Sequence, residues 1–90
     1  MDPFFSVIIP VYNRAEALRA AIESVRAQSC QDFEILVVDD GSRDDPRGVV
    51  DSFDDSRIRF ISQPNGGGGW ARNTAIDQAR GRFIAPLDSD

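Results

Sequence analysis

Phe33-Glu34-Ile35-Leu36-Val37-Val38-Asp39-Asp40-Gly41-Ser42, written FEILVVDDGS, is an apolar run that stops abruptly at two acids, a glycine and a serine. The segment Phe33 to Val38 shows no alternation of polar and apolar residues. It therefore reads as a strand covered on both faces, the kind found in parallel sheets. Asp39-Asp40-Gly41-Ser42 is a turn sequence, so the two carboxylates fall at the carboxyl end of that strand.

The neighbours on each side repeat the pattern. Upstream, Phe4 to Val11 (FFSVIIPV) carries the same buried-strand signature. Asn13 with Glu16 forms an asparagine version of the capping box, and Leu18, Ala21, Ile22 and Val25 share one helical stripe, which predicts a helix of about 14 residues. Downstream, Asp45 before Pro46 reads as an N-cap with proline at the first helical position, opening a short helix through Val49, Val50 and Phe53. Ile58 to Ser62 is a third strand. Beyond four glycines, Trp70, Ala71, Ala75, Ile76 and Ala79 mark a third helix, with Gly81 as its C-terminal stop. Arg82 to Leu87 gives a fourth strand.

Strand and helix alternating in this way imply parallel strands joined by right-handed crossovers. The expected fold is a Rossmann-like, three-layer α/β/α domain with a mostly parallel four-stranded sheet. In such sheets ligands lie beyond the carboxyl ends of the strands. Tyr12-Asn13, Asp39-Asp40, Gln63 to Gly69 and Asp88 to Asp90 all fall at that edge, and their convergence is a stronger signal than any one of them.

Composition narrows the chemistry. Ninety residues with 28% charged and 41% hydrophobic side chains suit one small globular core. A net charge of -5 disfavours a broad nucleic-acid interface. All ten basic residues are arginines, and lysine and histidine are absent. That removes Schiff-base lysines, phosphate-binding Walker lysines and histidine bases or ligands. Cys30 is solitary, so no internal disulfide forms, and without a histidine partner it reads as a buried or idle thiol rather than a nucleophile. No apolar run approaches the roughly 20 residues that cross a bilayer, and no signal peptide is visible at the start. The expected location is cytoplasmic, peripheral to the membrane in a full-length protein.

Three functional readings compete. Gly66 to Ala71 satisfies the dinucleotide fingerprint G-x-G-x-x-A, yet it follows the third strand, whereas that motif belongs after the first. A phosphoacceptor receiver would explain ILVVDDGS but needs an active-site lysine that the chain lacks. The third reading rests on four stretches together: SVIIPVYNR, DFEILVVDDGSRDD, PNGGGGWARNTAI and GRFIAPLDSD. In this order they resemble the successive signatures of the family 2 glycosyltransferases over nearly the whole chain. Gly68 and Trp70 depart from the usual residues of the third signature.

The resemblance implies a glycosyltransferase A-type fold, with residues 1–90 as its N-terminal nucleotide-sugar-binding portion. It implies transfer of a sugar from a nucleotide-diphosphate sugar, a UDP-sugar first, to an acceptor hydroxyl, inverting and metal-dependent. By motif, Pro10, Tyr12 and Asn13 line the base pocket, Tyr12 presenting its ring. Asp39 and Asp40 reach the base and ribose, Asp40 being the better candidate for the base and Asp39 reading equally well as a turn acid. Gly67 lets the backbone approach the donor, and Arg72 adds a charge-assisted hydrogen bond to the nucleotide or pairs with the acids. Asp88 lies near the ribose and metal, and Asp90 ligates Mn2+ or Mg2+ bridging the diphosphate. Asp44, Asp45, Asp54 and Asp55 read as solvated helix and loop ends.

No residue matches the carboxylate base that such enzymes take from the later half of the domain. The chain is therefore expected to be an N-terminal fragment that binds nucleotide and metal weakly without transferring sugar alone, with the acceptor (glycan, lipid or protein) left open. Its fourth strand is expected to leave an open edge that invites self-association. The alternative class is a non-catalytic nucleotide-binding or interaction module.

Overall fold

The computed structural model describes residues 2–64 and 68–87, with residues 68–72 described by their backbone. Its elements are β1 (Phe5–Val11), α1 (Ala15–Arg26), β2 (Phe33–Asp39), α2 (Pro46–Phe53), β3 (Ile58–Ser62), α3 (Gly68–Gln78) and β4 (Phe83–Pro86). The sheet order is β3-β2-β1-β4, and every pair is parallel. The expectation of a mostly parallel sheet thus becomes an all-parallel one among the described residues.

The layers follow from the side-chain alternation of β1 and β2. Val7, Ile9, Val11, Ile35 and Val37 turn to one face and pack with Leu18, Ile22 and Val25 of α1 and Val49 and Val50 of α2. Ile8, Leu36 and Val38 turn to the other face and meet Ala75 of α3. All seven residues of β2 are buried because it has a strand on each side and helices on both faces. Each fully buried isoleucine or leucine contributes about 1.5 to 3 kcal/mol of transfer free energy, and Ile8, Ile9, Ile35 and Leu36 are all at 0% exposure.

Pro10 is half-buried inside β1, a central strand, where proline normally removes a ladder bond. Here the loss is avoided. The carbonyl of Ile8 accepts from Leu87 on the β4 side, so Pro10, two residues on, turns its donorless nitrogen the same way. Among the described residues the β1–β4 ladder ends below it, at Ile8 and Pro86.

Three local expectations are corrected. Asn13 does not cap α1: the N-cap position is Arg14, which makes no side-chain cap bond, and the helix begins at Ala15. Asn13 itself lies in the left-handed region at φ 53, which places it outside the helix. Second, α3 ends at Gln78, before Gly81. Gly81 has a different duty, since a Cβ there would lie 2.5 Å from the Ser6 backbone nitrogen and 2.6 Å from the Phe5 carbonyl carbon. Third, the apolar stripe of α3 holds at Ala75 and Ala79 but not at Ile76, which is 46% exposed.

At the amino edge of the sheet, Glu34 is 6% exposed and accepts three hydrogen bonds. The donors are the Ser6 hydroxyl (2.6 Å), the Arg80 backbone N–H (2.6 Å) and the Arg59 guanidinium (3.1 Å). Burial opposes ionisation of Glu34, but these donors and the Arg59 charge outweigh it and hold the carboxyl below its ordinary value. Ser6 Oγ also accepts from the Gly81 N–H at 2.7 Å, which ties the α3–β4 connection to the strand starts.

Among the described residues β4 is an edge strand of the sheet, as β3 is, with Phe83 and Ile84 half exposed on opposite faces of the strand. Among the described residues no helix is long and apolar enough to cross a membrane. Cys30 is free and exposed.

Candidate functional site at the carboxyl edge

The parallel sheet delivers the ends of β1, β2 and β3 side by side. Val11 pairs with Asp39, and Asp39 pairs with Ser62, so the residues that follow each strand emerge along one edge. Backbone bonds fix their heights. Asp40 N–H donates to Val11 O at 3.0 Å, and Gln63 N–H donates to Asp39 O at 2.9 Å. Tyr12, Asp40 and Gln63 are therefore held together by the ladder itself.

Asp39 and Asp40 are 8% and 5% exposed, so each needs polar partners. Asp39 Oδ1 accepts from the Ser42 N–H at 2.9 Å, closing the turn in which Gly41 takes φ 80. Glycine is required there because other side chains crowd the left-handed region. Asp40 Oδ1 accepts from Gln63 Nε2 at 3.2 Å, and Gln63 Oε1 accepts from the Thr74 hydroxyl at 2.7 Å. This relay joins β2, the end of β3 and α3. Among the described residues no buried side-chain nitrogen or oxygen lacks a partner.

Tyr12 is 45% exposed. It lies between Val11, locked into the sheet, and Asn13, held to the β2–α2 loop on both its polar groups. The Asn13 N–H donates to Ser42 Oγ at 2.9 Å, and Asn13 Oδ1 accepts from the Arg43 N–H at 2.7 Å. An aromatic ring offered to solvent from a fixed backbone, at the strand edge that also carries two buried acids, can stack on a planar base and add a phenolic hydrogen bond.

Of the acids expected to be solvated helix and loop ends, Asp44, Asp45 and Asp54 are exposed, as expected, and Asp55 is not. Asp44 Oδ2 accepts from the Ala15 N–H at 2.9 Å. Asp45 caps α2 through the Gly48 N–H at 3.0 Å, as its position before Pro46 predicts. Asp54 is the left-handed C-cap of α2. Asp55, its side chain 10% exposed, pairs with Arg57 at 2.8 Å and Arg26 at 3.4 Å. The hydrogen bonds from Arg57 outweigh the effect of burial and hold the Asp55 carboxyl down at about 2.

Of the predicted site residues, the structure brings Tyr12, Asn13, Asp39 and Asp40 to one edge. Pro10 lies one pair below, opposite Val38. Gly67, Asp88 and Asp90 lie outside the described residues, and Arg72 falls in α3, where only its backbone is described. Among the described residues no group of three or more Asp, Glu, His or Cys is placed to hold a metal ion. Carboxylates one residue apart, as Asp88 and Asp90 are, suit the hard oxygen preference of Mn2+ or Mg2+. Sequence reasoning missed Ser42, Asp44 and Thr74. For Ser42 and Asp44 the available signal was their place in the turn after the acid pair.

Known proteins share both the sequence and this geometry. The family model described as Glycosyl transferase family 2 matches residues 6–90. An Escherichia coli protein, UDP-Glc:alpha-D-GlcNAc-diphosphoundecaprenol beta-1,3-glucosyltransferase WfgD, is 46% identical over 90 residues, covering 99% of this chain and 36% of that protein. The Campylobacter jejuni GalNAc(5)-diNAcBac-PP-undecaprenol beta-1,3-glucosyltransferase is 43% identical, over 98% of this chain and 30% of its own length. Crystalline S. aureus TarS 1-349 in complex with UDP-GlcNAc superimposes with a TM-score of 0.90 at 35% identity, over 97% of this chain and 26% of that one. The mannosyltransferase PcManGT of Pyrobaculum calidifontis, in complex with GDP-Man and Mn2+, gives 0.86 at 25% identity, over 100% of this chain and 28% of that one. The chain thus spans little more than a third, or less, of the length of each of these relatives.

Proposed function

The chain belongs to glycosyl transferase family 2, and from that premise we propose that it forms the donor-binding portion of an inverting glycosyltransferase that uses a nucleotide-diphosphate sugar, a UDP-sugar first. The observation that carries the reading is the convergence of Tyr12, Asp39 and Asp40 at adjacent carboxyl ends of β1 and β2, in the order the family signature requires. Structural neighbours caught with UDP-GlcNAc, UDP, or GDP-Man and Mn2+ support it.

In this proposal Tyr12 stacks on the base, with Pro10 and Asn13 completing its pocket. Asp39 has one oxygen engaged by the Ser42 N–H, so its second oxygen accepts from a ribose hydroxyl. Asp40, oriented by Gln63, accepts from a base N–H. Gly67 gives the phosphates close access to the start of α3, whose N-terminal end favours negative charge, and Arg72 adds a charged donor. Asp88 and Asp90 are the residues that would hold Mn2+ or Mg2+, which would supply Lewis-acid stabilisation of the departing diphosphate. In the inverting displacement the acceptor oxygen bonds the anomeric carbon as the bond to the diphosphate oxygen breaks. The base that takes the acceptor proton is not one of the residues assigned here, so binding without transfer is expected of these 90 residues. Residues 1–90 as one nucleotide-binding portion, self-association along β4 and a cytoplasmic location are carried forward as parts of the same proposal.

Calorimetric titration of the chain with UDP in the presence of Mn2+ tests it. Saturable binding that Asp90→Ala abolishes is the expected result. Absence of UDP binding in the unaltered chain would overturn the donor-site assignment in favour of a non-catalytic module.

A further inference from the structure

We propose that Asp44 and Ser42 are positioning residues for Tyr12: they fasten the β1–α1 loop to the β2–α2 loop and so fix the ring that meets the nucleotide, without touching the ligand. The proposal rests on the donor-site reading for its consequence, and on geometry for its substance.

Helix α1 begins without a cap of its own. The first N–H groups of any helix lack partners within the helix, and the Arg14 side chain, in the N-cap position, makes no cap bond to them. The acceptor comes from the neighbouring loop, where Asp44 Oδ2 takes the Ala15 N–H at 2.9 Å across 29 residues of sequence. A carboxylate there also complements the positive end of the helix dipole. Immediately before Ala15 and Arg14, Asn13 is held at φ 53. A non-glycine residue in the left-handed region costs on the order of 1 kcal/mol and persists only where its surroundings impose it.

The surroundings are Ser42 and Arg43, through the bonds to the Asn13 N–H and side-chain oxygen already described. Residues 42, 43 and 44 therefore engage residues 13, 13 and 15 in sequence, like the teeth of one zip. On its other side Ser42 is bound through its N–H to Asp39. The zip thus joins a donor-site carboxylate to the residue next to Tyr12. Tyr12 follows Val11, whose carbonyl is bonded to Asp40. With Val11 fixed by the sheet and Asn13 by the zip, the Tyr12 backbone is pinned from both ends while its ring stays exposed.

Release of the zip lets Asn13 leave φ 53, and Tyr12 moves with it. Loss of a helix cap corresponds to roughly a tenfold change in an equilibrium, so a fall of about tenfold in nucleotide affinity is the expected scale. The sign is diagnostic. Removing an acidic charge near a diphosphate would by electrostatics alone tighten binding, whereas loss of positioning weakens it.

Tyr12 is the single tyrosine of the chain, so 3-fluorotyrosine labelling gives one 19F signal that reports its ring. In the ligand-free chain, Asp44→Ala is expected to shift or broaden that signal and to speed amide exchange at Ala15 and Arg43 about tenfold. With UDP and Mn2+ as the probe, Asp44→Ala is expected to weaken binding about tenfold. Asp44→Asn, which keeps an acceptor at the cap, returns both readouts to within about twofold of the parent. Asp51→Ala, an exposed acid outside the zip, leaves both unchanged. If Asp44→Ala does not fold, Ser42→Ala carries the same expectations through the lost bond to Asn13.

An unchanged 19F signal and exchange rate in a folded Asp44→Ala chain overturn the proposal, as does UDP binding equal to or tighter than the parent's. Failure of the parent to bind UDP ends the donor-site reading instead, and the ligand-free 19F comparison still decides whether Asp44 positions Tyr12.

Discussion

The two edges of the sheet place their buried acids in different settings. At the amino edge Glu34 and Asp55 are bound by guanidinium groups, Arg59 on one and Arg57 with Arg26 on the other. At the carboxyl edge Asp39 is held by a backbone N–H and Asp40 accepts from a side-chain amide. An acid matched by a cation in a fixed geometry serves the fold. The acids at the carboxyl edge stand instead where parallel α/β sheets bind ligands.

The contrast breaks first at Glu34. Glu34→Ala removes the acceptor for Ser6, Arg80 and Arg59 together and leaves a partly buried guanidinium without its counter-charge. Breaking a pair of this kind costs about 3 kcal/mol. Urea unfolding should show that loss, and a change under 1 kcal/mol would mean the amino edge is not the stronger clasp.

A smaller effect is expected at Asp55, where the fall of the carboxyl from its ordinary 3.8 to about 2, at ~1.4 kcal/mol per unit of pKa, corresponds to up to ~2.5 kcal/mol. The folded-state value is the lower one, so this contribution is present above pH 3.8 and lost as the pH falls toward 2. Asp55→Asn should therefore lower stability at neutral pH, and its acid-unfolding curve should merge with the parent's near pH 2. A constant gap between the curves down to that pH would refute the assignment.

Smallest in stability, and largest in function, is Asp40→Asn. The amide keeps an oxygen to accept from Gln63, so that bond survives and a stability loss of about 1 kcal/mol is expected. A charge-assisted bond to the nucleotide would be lost, weakening UDP binding by at least about tenfold. Equal losses of stability and affinity would erase the distinction between the edges.

Much of this division was legible in the chain of letters. Continuous apolar runs marked the buried strands, and the stop at Asp39-Asp40-Gly41-Ser42 placed two acids at a strand end. Asp45-Pro46 announced the start of α2, and its cap is where the pattern put it. The misses share one cause. Asn13 was assigned to cap its own helix because a capping box is a local pattern, but its side chain turned to Arg43, 30 residues away. Asp44 is exposed as its polar stretch implies, yet its bond to the distant Ala15 N–H leaves no local sign, and neither do the guanidinium groups folded over Asp55.

The sequence by itself determined the strand and helix succession, the parallel sheet and the edge at which Tyr12, Asp39 and Asp40 emerge, because hydrophobic periodicity and turn chemistry act over a few residues. Tertiary structure alone decided which donor satisfies which acid, that α1 is capped from another loop, and that Gly81 must be bare to lie against Ser6. Those outcomes depend on desolvation and contact between segments far apart in the chain, and no local pattern records them.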